Sequence, residues 1–331
     1  MKKINLAQFG LGPIGLETLK LAATRPWANV IGGVDIALDK AGRDLAELTG
    51  LASLKSRRVF SSLEELLARA RPDLIFHTAV SGFQAAFAQL EPMARAGVNV
   101  VSSCEELVFP HLREPRLAAR LDRLCQQGGA RIVGTGVNPG FVMDVLPVCL
   151  TGVCREVRAL HVERVVNAST RRAPLQKKIG SGQAPASFRR LLKAGQAGHA
   201  GLKESLALVA HCLGWRLTSI VETADAVVAD HDIGTPFFAV PKGRVCGIHQ
   251  RAAGKVGGQV RLTLDLQMYL DAPNPHDSIR TEGDPPLELV LMGGVPGDQA
   301  TVAALVNTAP RLFAAPPGLL LMTDLPVPRW A

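Results

Sequence analysis

The chain has 331 residues, 47% of them hydrophobic and 20% charged, with a net charge of +8. That length is ample for a buried core and argues for two domains. No apolar run approaches the ~18 residues a bilayer crossing needs. The positive charge is dispersed apart from one patch, Arg171-Arg172 through Lys177-Lys178. That patch lacks aromatic residues for base stacking, so no nucleic-acid partner is expected.

In chain order, the first 35 residues read as strand, turn, helix and strand. The start, Met1-Lys2-Lys3-Ile4, resembles the basic end of a signal peptide, but Gly10, Gly12, Pro13 and Glu17 interrupt the apolar stretch that would have to follow. Instead Lys3–Phe9 reads as a strand that runs into Gly10-Leu11-Gly12-Pro13-Ile14-Gly15, a full G-x-G-x-x-G, and a helix opens at Gly15 and runs to Ala23. Val30-Ile31-Gly32-Gly33-Val34 is the next apolar run, and it ends at Asp35, 20 residues past the last motif glycine. Gly10 permits the tight turn, Gly12 lets the backbone approach a pyrophosphate, and Gly15 lets helix and strand pack closely. The helix N-terminus offers unpaired N–H groups and positive dipole charge, and Asp35 would accept hydrogen bonds from ribose hydroxyls. In this context the pattern predicts a dinucleotide.

The α/β rhythm continues. A helix is expected over Ser61–Ala70, a buried strand over Pro72–His77, a helix over Gly82–Ala96, a strand over Val98–Ser102, a helix over Arg116–Gln127 and a strand over Arg131–Thr135. Such alternation predicts a doubly wound parallel sheet, whose ligands lie beyond the strand C-terminal ends. The loops Thr78–Gly82, Ser102–Glu106 and Gly134–Gly140 therefore become candidate ligand loops. Glu105 and Glu106 are candidates for general acid–base work or for stabilising a cation, and equally for acids at a helix start. Asn138, in a Gly-rich turn with Pro139 and Gly140, could reach a ligand, whereas His77 and Cys104 read more readily as structural.

From about residue 155 the texture changes. Val157–Asn167, Arg216–Asp230, Phe237–Gln250, Gly258–Tyr269 and Leu287–Met292 are long runs rich in Val, Leu and Thr. They predict a mostly antiparallel sheet with one open face, which a two-fold partner would cover. Helices are expected only at Ser187–Lys193, Lys203–Leu213 and Asp298–Ala309. The six cysteines show no C-x-x-C pair and read as reduced thiols of a cytoplasmic protein; no metal-ligand spacing appears, so no metal is expected.

Several longer motifs carry a resemblance over nearly the whole chain. They are Ser102-Ser103-Cys104-Glu105-Glu106-Leu107, Gly134-Thr135-Gly136-Val137-Asn138-Pro139-Gly140-Phe141, the run from Glu163 to Arg172 with Pro174-Leu175-Gln176-Lys177-Lys178, and Asn307-Thr308-Ala309-Pro310 with Pro317-Gly318-Leu319. Together they resemble the native NAD(P)-dependent amine dehydrogenases and 2,4-diaminopentanoate dehydrogenase, within the dihydrodipicolinate-reductase-like group. The resemblance implies an N-terminal Rossmann domain over 1–150, a substrate-binding and dimerisation domain over 151–297 and a C-terminal return over 298–331. It implies NAD(H) or NADP(H) held by Gly10, Gly12, Pro13, Ile14, Gly15, Asp35, Lys40, Arg43, Thr78, Ala79, Ser103, Cys104, Asn138, Pro139 and Gly140.

The implied reaction is reductive amination of a small ketone or aldehyde with ammonia, and its reverse, in a homodimer. The catalytic glutamate maps to Glu105, with Glu106 as the fallback. Phe141, Leu175 and Trp215 are candidate apolar pocket walls, though each reads more readily as a core residue. Asn167 departs from the pattern, which leads one to expect Asp. Rival readings are a diamine or amino-acid dehydrogenase anchored by Arg171, Arg172 or Lys177, a cyclic-imine reductase, and a nucleotide-sensing binding protein without turnover.

Overall fold

The computed structural model describes residues 3–331, so the basic start read at Met1-Lys2 lies outside the described residues. The chain forms two compact units. One takes the chain through Phe141 and resumes at Pro296–Ala331; the other is Val142–Val295. The helix after Asp144 therefore belongs to the second unit.

The first unit begins with β1 (Ile4–Phe9), α1 (Pro13–Ala23) and β2 (Ala28–Val34). Two short elements absent from the sequence reading follow, α2 (Leu45–Thr49) and β3 (Val59–Phe60). Then come α3 (Leu63–Arg69), β4 (Leu74–His77), α4 (Phe83–Arg95), β5 (Asn99–Ser102), α5 (Pro115–Gly128) and β6 (Arg131–Gly134). The helix starts obey local chemistry. Pro13 sits in the first turn of α1, where its missing N–H costs nothing, and the Ser62 hydroxyl accepts the Glu65 N–H at the start of α3.

These strands pair in parallel in the order β3-β2-β1-β4-β5-β6. The order reverses between β1 and β4, which opens a crevice beyond their C-terminal ends. Leu90 and Met93 of α4 and Leu121 of α5 pack with Ile75, Val100 and Ile132 of the sheet, all fully buried.

The second unit contains α6 (Val145–Thr151), β7 (Glu156–Asn167), α7 (Ala173–Lys178), α8 (Pro185–Lys193) and α9 (Leu202–Cys212). It continues with β8 (Ser219–Val228), β9 (Ile233–Gly234), β10 (Ala239–Val240), β11 (Val245–Val256), β12 (Gln259–Tyr269), β13 (His276–Asp284) and β14 (Leu287–Met292). The main sheet has the order β14-β13-β7-β12-β11-β8. Every pairing is antiparallel except β7 with β12.

Several expectations need correction here. In this unit helices are not confined to the stretches expected at Ser187–Lys193 and Lys203–Leu213, since α6 and α7 add to them. The basic patch is α7, which begins at Ala173-Pro174 because proline suits a first turn. The run Phe237–Gln250 breaks at Pro241-Lys242-Gly243 into β10 and β11, and β13 was missed.

One face of this sheet is covered by α9, which packs on β11 and β12. The other face is polar: the register aligns Arg280 with His161, Glu163 with Asp265, and His249 with Asp225. In the first unit, the returning chain adds α10 (Gly297–Leu312), packed on α1, and β15 (Gly318–Leu320), parallel to β6.

Candidate functional site

The glycine turn is built around close backbone approach. Gly10 has φ +87°, a left-handed conformation that favours glycine. A Cβ on Gly15 would lie 2.0 Å from the Gly10 carbonyl oxygen, so α1 could not pack against the turn with any other residue there. Beyond Gly12, by contrast, a Cβ would meet nothing within 4 Å, and no side chain caps α1. The turn thus presents bare backbone and a helix N-terminus to open space, the environment a pyrophosphate requires.

Side chains brace the turn from below. Gln8, fully buried in β1, donates from Nε2 to the Gly10 carbonyl at 3.0 Å and to Thr78 Oγ1 at 2.9 Å. The Thr78 hydroxyl donates to the Gly10 carbonyl at 2.8 Å, and the Ala79 backbone lies directly beneath Gly10. Sequence reasoning missed Gln8; its signal was a polar amide at the C-terminal end of a parallel strand, one residue before the last strand position.

Asp35 closes the turn from the side. Its Oδ2 accepts the Leu11 N–H at 2.7 Å, its Oδ1 accepts the Ala37 N–H at 2.9 Å, and Lys40 Nζ pairs with Oδ2 at 3.3 Å. Burial pushes the Asp35 carboxyl up, but these two N–H groups and the Lys40 ammonium outweigh it and hold it below the usual carboxylate range. Arg43, just before α2, instead pairs with Glu47 of that helix at 3.1 Å. Ile36 and Leu38 stand almost fully exposed in the same loop.

The turn after β5 distinguishes the two glutamates. Glu105–Val108 forms a short 3-10 turn. Glu106 is engaged: Oε2 accepts the Phe83 N–H at the start of α4 at 2.8 Å, and Oε1 pairs with Arg113 at 3.3 Å. The helix-start role foreseen for an acid here is thus realised on α4 rather than on its own turn. The Glu105 side chain is partly exposed and makes no hydrogen bond or ion pair among the described residues. Ser103 is likewise partly exposed. The Cys104 side chain is fully buried and its Sγ donates to the Ser81 carbonyl. Burial, aided by the two glutamates, pushes that thiol up to about 12.

The loop after β6 packs against this turn. A Cβ on Gly134 would lie 2.6 Å from the Leu107 carbonyl carbon, so the close contact requires glycine. Farther along, Thr135 Oγ1 and both amide atoms of Asn138 are buried with no hydrogen-bond partner. A buried amide left unpaired is costly, so these atoms are the polar groups of this loop that the fold itself does not satisfy. Pro139 and Gly140 follow, buried, and Phe141 is half-buried.

Leu175, in α7, and Trp215, after α9, are half-buried residues of the second unit. In that unit the Asn167 amide accepts the Ser169 N–H at 3.0 Å and donates to the Ala272 carbonyl at 3.4 Å, a donation that Asp could not make. No cluster of three or more His, Cys, Asp or Glu able to hold a metal occurs among the described residues.

The sheet order, the glycine turn and the acid at the end of β2 define a Rossmann-type protein with a dinucleotide cradle and a second, mostly antiparallel unit. More narrowly, the chain belongs to the family whose model, 2,4-diaminopentanoate dehydrogenase C-terminal domain, matches residues 141–331. It is 28% identical to the 2,4-diaminopentanoate dehydrogenase of Acetoanaerobium sticklandii, an alignment that covers 99% of this chain and 95% of that one. It is 25% identical to an amine dehydrogenase of Streptomyces virginiae, with 98% and 96% covered. An amine dehydrogenase structure from Mycobacterium smegmatis superimposes with a TM-score of 0.87 at 24% identity, covering 99% and 97% of the two chains.

Proposed function

We propose that this chain is an NAD(P)-dependent amine dehydrogenase that interconverts an amine with a small ketone or aldehyde and ammonia. The observation that carries this reading is Glu105, a carboxylate at the C-terminal end of β5 with no partner of its own, beside a Glu106 fully engaged in structure. The family and the relatives' names support the same class of reaction.

The cradle fits a dinucleotide, because the space beyond Gly12 is open and Asp35 fixes the turn. Gly10 to Gly15 would hold the pyrophosphate, Asp35 the adenosine ribose, and the loops carrying Thr78, Ala79, Ser103, Cys104, Asn138, Pro139 and Gly140 the remaining half. When bound, the nicotinamide supplies hydride exchange at the carbon that bears the nitrogen. Asp35 disfavours a 2′-phosphate while Lys40 is placed to meet one, so NAD(H) is used well and NADP(H) is tolerated. In amination, ammonia adds to the carbonyl and water leaves, giving a cationic iminium. Glu105 stabilises that charge and passes the protons that the addition and dehydration require.

A second reading concerns the substrate. The curated relative named for 2,4-diaminopentanoate favours a diamino acid, for which Arg171, Arg172 and Lys177 are candidate carboxylate anchors. Two further elements complete the proposal. The polar open face of the six-stranded sheet, with exposed Val290 and Met292 on its edge strand, is the surface for a homodimer. Six free thiols suit a cytoplasmic setting.

The test is NAD(P)H oxidation with a panel of small ketones and aldehydes, with and without ammonium, and the reverse reaction with 2,4-diaminopentanoate and other amines. Oxidation should require ammonium. Equal rates with ketone alone, or no turnover with any member, would overturn the proposal. Light scattering at micromolar concentration should report a dimer; a monomer would remove the dimer from it.

A further inference from the structure

Beneath the Glu105 turn runs a line of buried polar groups that the reaction leaves unassigned. His77 ends β4 and is fully buried. Its Nε2 donates to Gln89 Oε1 of α4 at 2.7 Å, which leaves Nδ1 to accept the Ser102 hydroxyl at 2.8 Å. Ser102 Oγ in turn accepts the Cys104 N–H at 3.1 Å. His77 and Ser102 each use one donor and one acceptor, and the line ends on the N–H of the Ser103–Cys104 peptide, one peptide short of Glu105. On its other side the His77 ring stacks on Phe9, 5.5 Å between centroids, and Phe9 precedes the glycine turn.

We infer that His77, acting through Ser102, is a positioning residue that fixes the orientation of the Glu105 turn. The inference rests on Glu105 being the carboxylate of the reaction. Three observations carry it. The Glu105 side chain makes no hydrogen bond of its own, so the placement of its turn sets the region its carboxylate can reach. That backbone is held by the Ser102–Cys104 bond and by the Glu106 N–H donated to the Ser81 carbonyl at 3.2 Å. The 3-10 turn itself has no side-chain cap.

The direction of the line also matters. Burial holds the His77 ring neutral, its pKa pushed down to about 4, so Nδ1 keeps the lone pair that orients the Ser102 hydroxyl. A buried polar line within an apolar core specifies one arrangement where apolar packing would tolerate several. It also couples the two loops that must meet the same dinucleotide, one through Phe9 and one through Cys104.

The experiment is a double-mutant cycle read as kcat in the deamination of 2,4-diaminopentanoate, or of the best amine in the panel. Ser102→Ala should lower kcat about 10- to 100-fold, the cost of a misplaced group, and leave NAD(P)H affinity within about threefold. Ser102→Thr, which keeps the hydroxyl, should restore most of the loss. In a Glu105→Gln background, Ser102→Ala should cost less than about threefold, because a positioning residue has nothing left to position.

An equal loss in both backgrounds means a general structural role and overturns the inference, as does a folded Ser102→Ala with unchanged kcat. Should Ser102→Ala not fold, Gln89→Leu at the accessible end of the line takes its place under the same criteria. If Glu105→Gln alone keeps parental turnover, the reading of Glu105 falls first, and the two failures are thus distinguishable.

Discussion

The turn after β5 and the loop after β6 are neighbours in the same unit, and they treat polar groups in opposite ways. In the turn, Ser102, Cys104 and Glu106 are each bonded within the fold, and Glu105 is the one charged side chain left over. In the loop, Thr135 Oγ1 and both amide atoms of Asn138 are buried without a hydrogen-bond partner. An unsatisfied buried polar group costs about 1–3 kcal/mol, a cost that a bound polar group at this loop would relieve. In the proposed function the turn is finished except for one charge, whereas the loop is completed by its ligand. That proposal gives chemistry to the first and binding to the second, and each role can be broken separately.

The largest expected effect tests the turn. Glu105→Gln keeps the side chain's size and removes its charge, and it should lower turnover about 10²- to 10³-fold, the usual cost of one preorganised charge. NAD(P)H affinity, measured by fluorescence titration, should change little. Glu106→Gln should be milder in turnover, because its partners are the Phe83 N–H and Arg113 rather than a substrate. Should Glu106→Gln be inactive and Glu105→Gln active, the two roles are exchanged.

A second effect tests whether the line beneath the turn is neutral in the folded state. The folded His77 has its pKa depressed from 6.5 to about 4. Between those two values the unfolded chain binds a proton that the folded chain does not, so stability rises with pH across this window and is lost as pH falls through it. Above pH 6.5 the term vanishes. Its full size is about 3 kcal/mol. Denaturant midpoints from pH 7 to pH 4 should fall steeply for the parent and less for His77→Gln. Parallel slopes would show that His77 is protonated in the fold.

Much of the first unit was legible in the sequence, because parallel strands buried on both faces give short apolar runs, and the helices between them carry their own start signals. The second unit was harder. β13, His-Asp-Ser-Ile-Arg-Thr-Glu-Gly-Asp, alternates buried and exposed positions, but its polar residues hid it among the turns. The parallel pairing of β7 with β12 joins segments about a hundred residues apart, which no local pattern encodes.

In the site, the glycine turn and Asp35 could be read from spacing alone. The choice between Glu105 and Glu106 could not, since it depends on a bond from Glu106 to Phe83, 23 residues earlier. The His77 line likewise joins three separate elements through side chains whose partners only folding reveals.

A smaller effect concerns the cradle at the other side of the crevice. Asp35 holds the Leu11 N–H and pairs with Lys40. Asp35→Ala removes the charge that repels a 2′-phosphate and frees Lys40 to meet one. The ratio of kcat/KM for NAD to that for NADP should fall about tenfold, the worth of one charge-assisted hydrogen bond. An unchanged ratio would show that Asp35 braces the turn without touching the ribose.

The smallest expected effect is the sharpest test of the loop. If the Asn138 amide is a structural group, removing it should destabilise the fold as most buried substitutions do, by about 1 kcal/mol. If it awaits a ligand, Asn138→Ala deletes a group whose polar atoms have no partner in the free protein. The unliganded stability should then stay within about 0.5 kcal/mol of the parent or rise, because an unsatisfied buried amide is itself unfavourable. Dinucleotide affinity should fall about 2- to 10-fold, the net worth of one ordinary hydrogen bond. The signature is therefore a separation: midpoints of the free proteins coincide, while the stabilisation that saturating NAD(P)H adds to the parent shrinks in the variant. A variant that loses stability when free and keeps full dinucleotide affinity would make Asn138 part of the scaffold, and the contrast between the two loops would collapse.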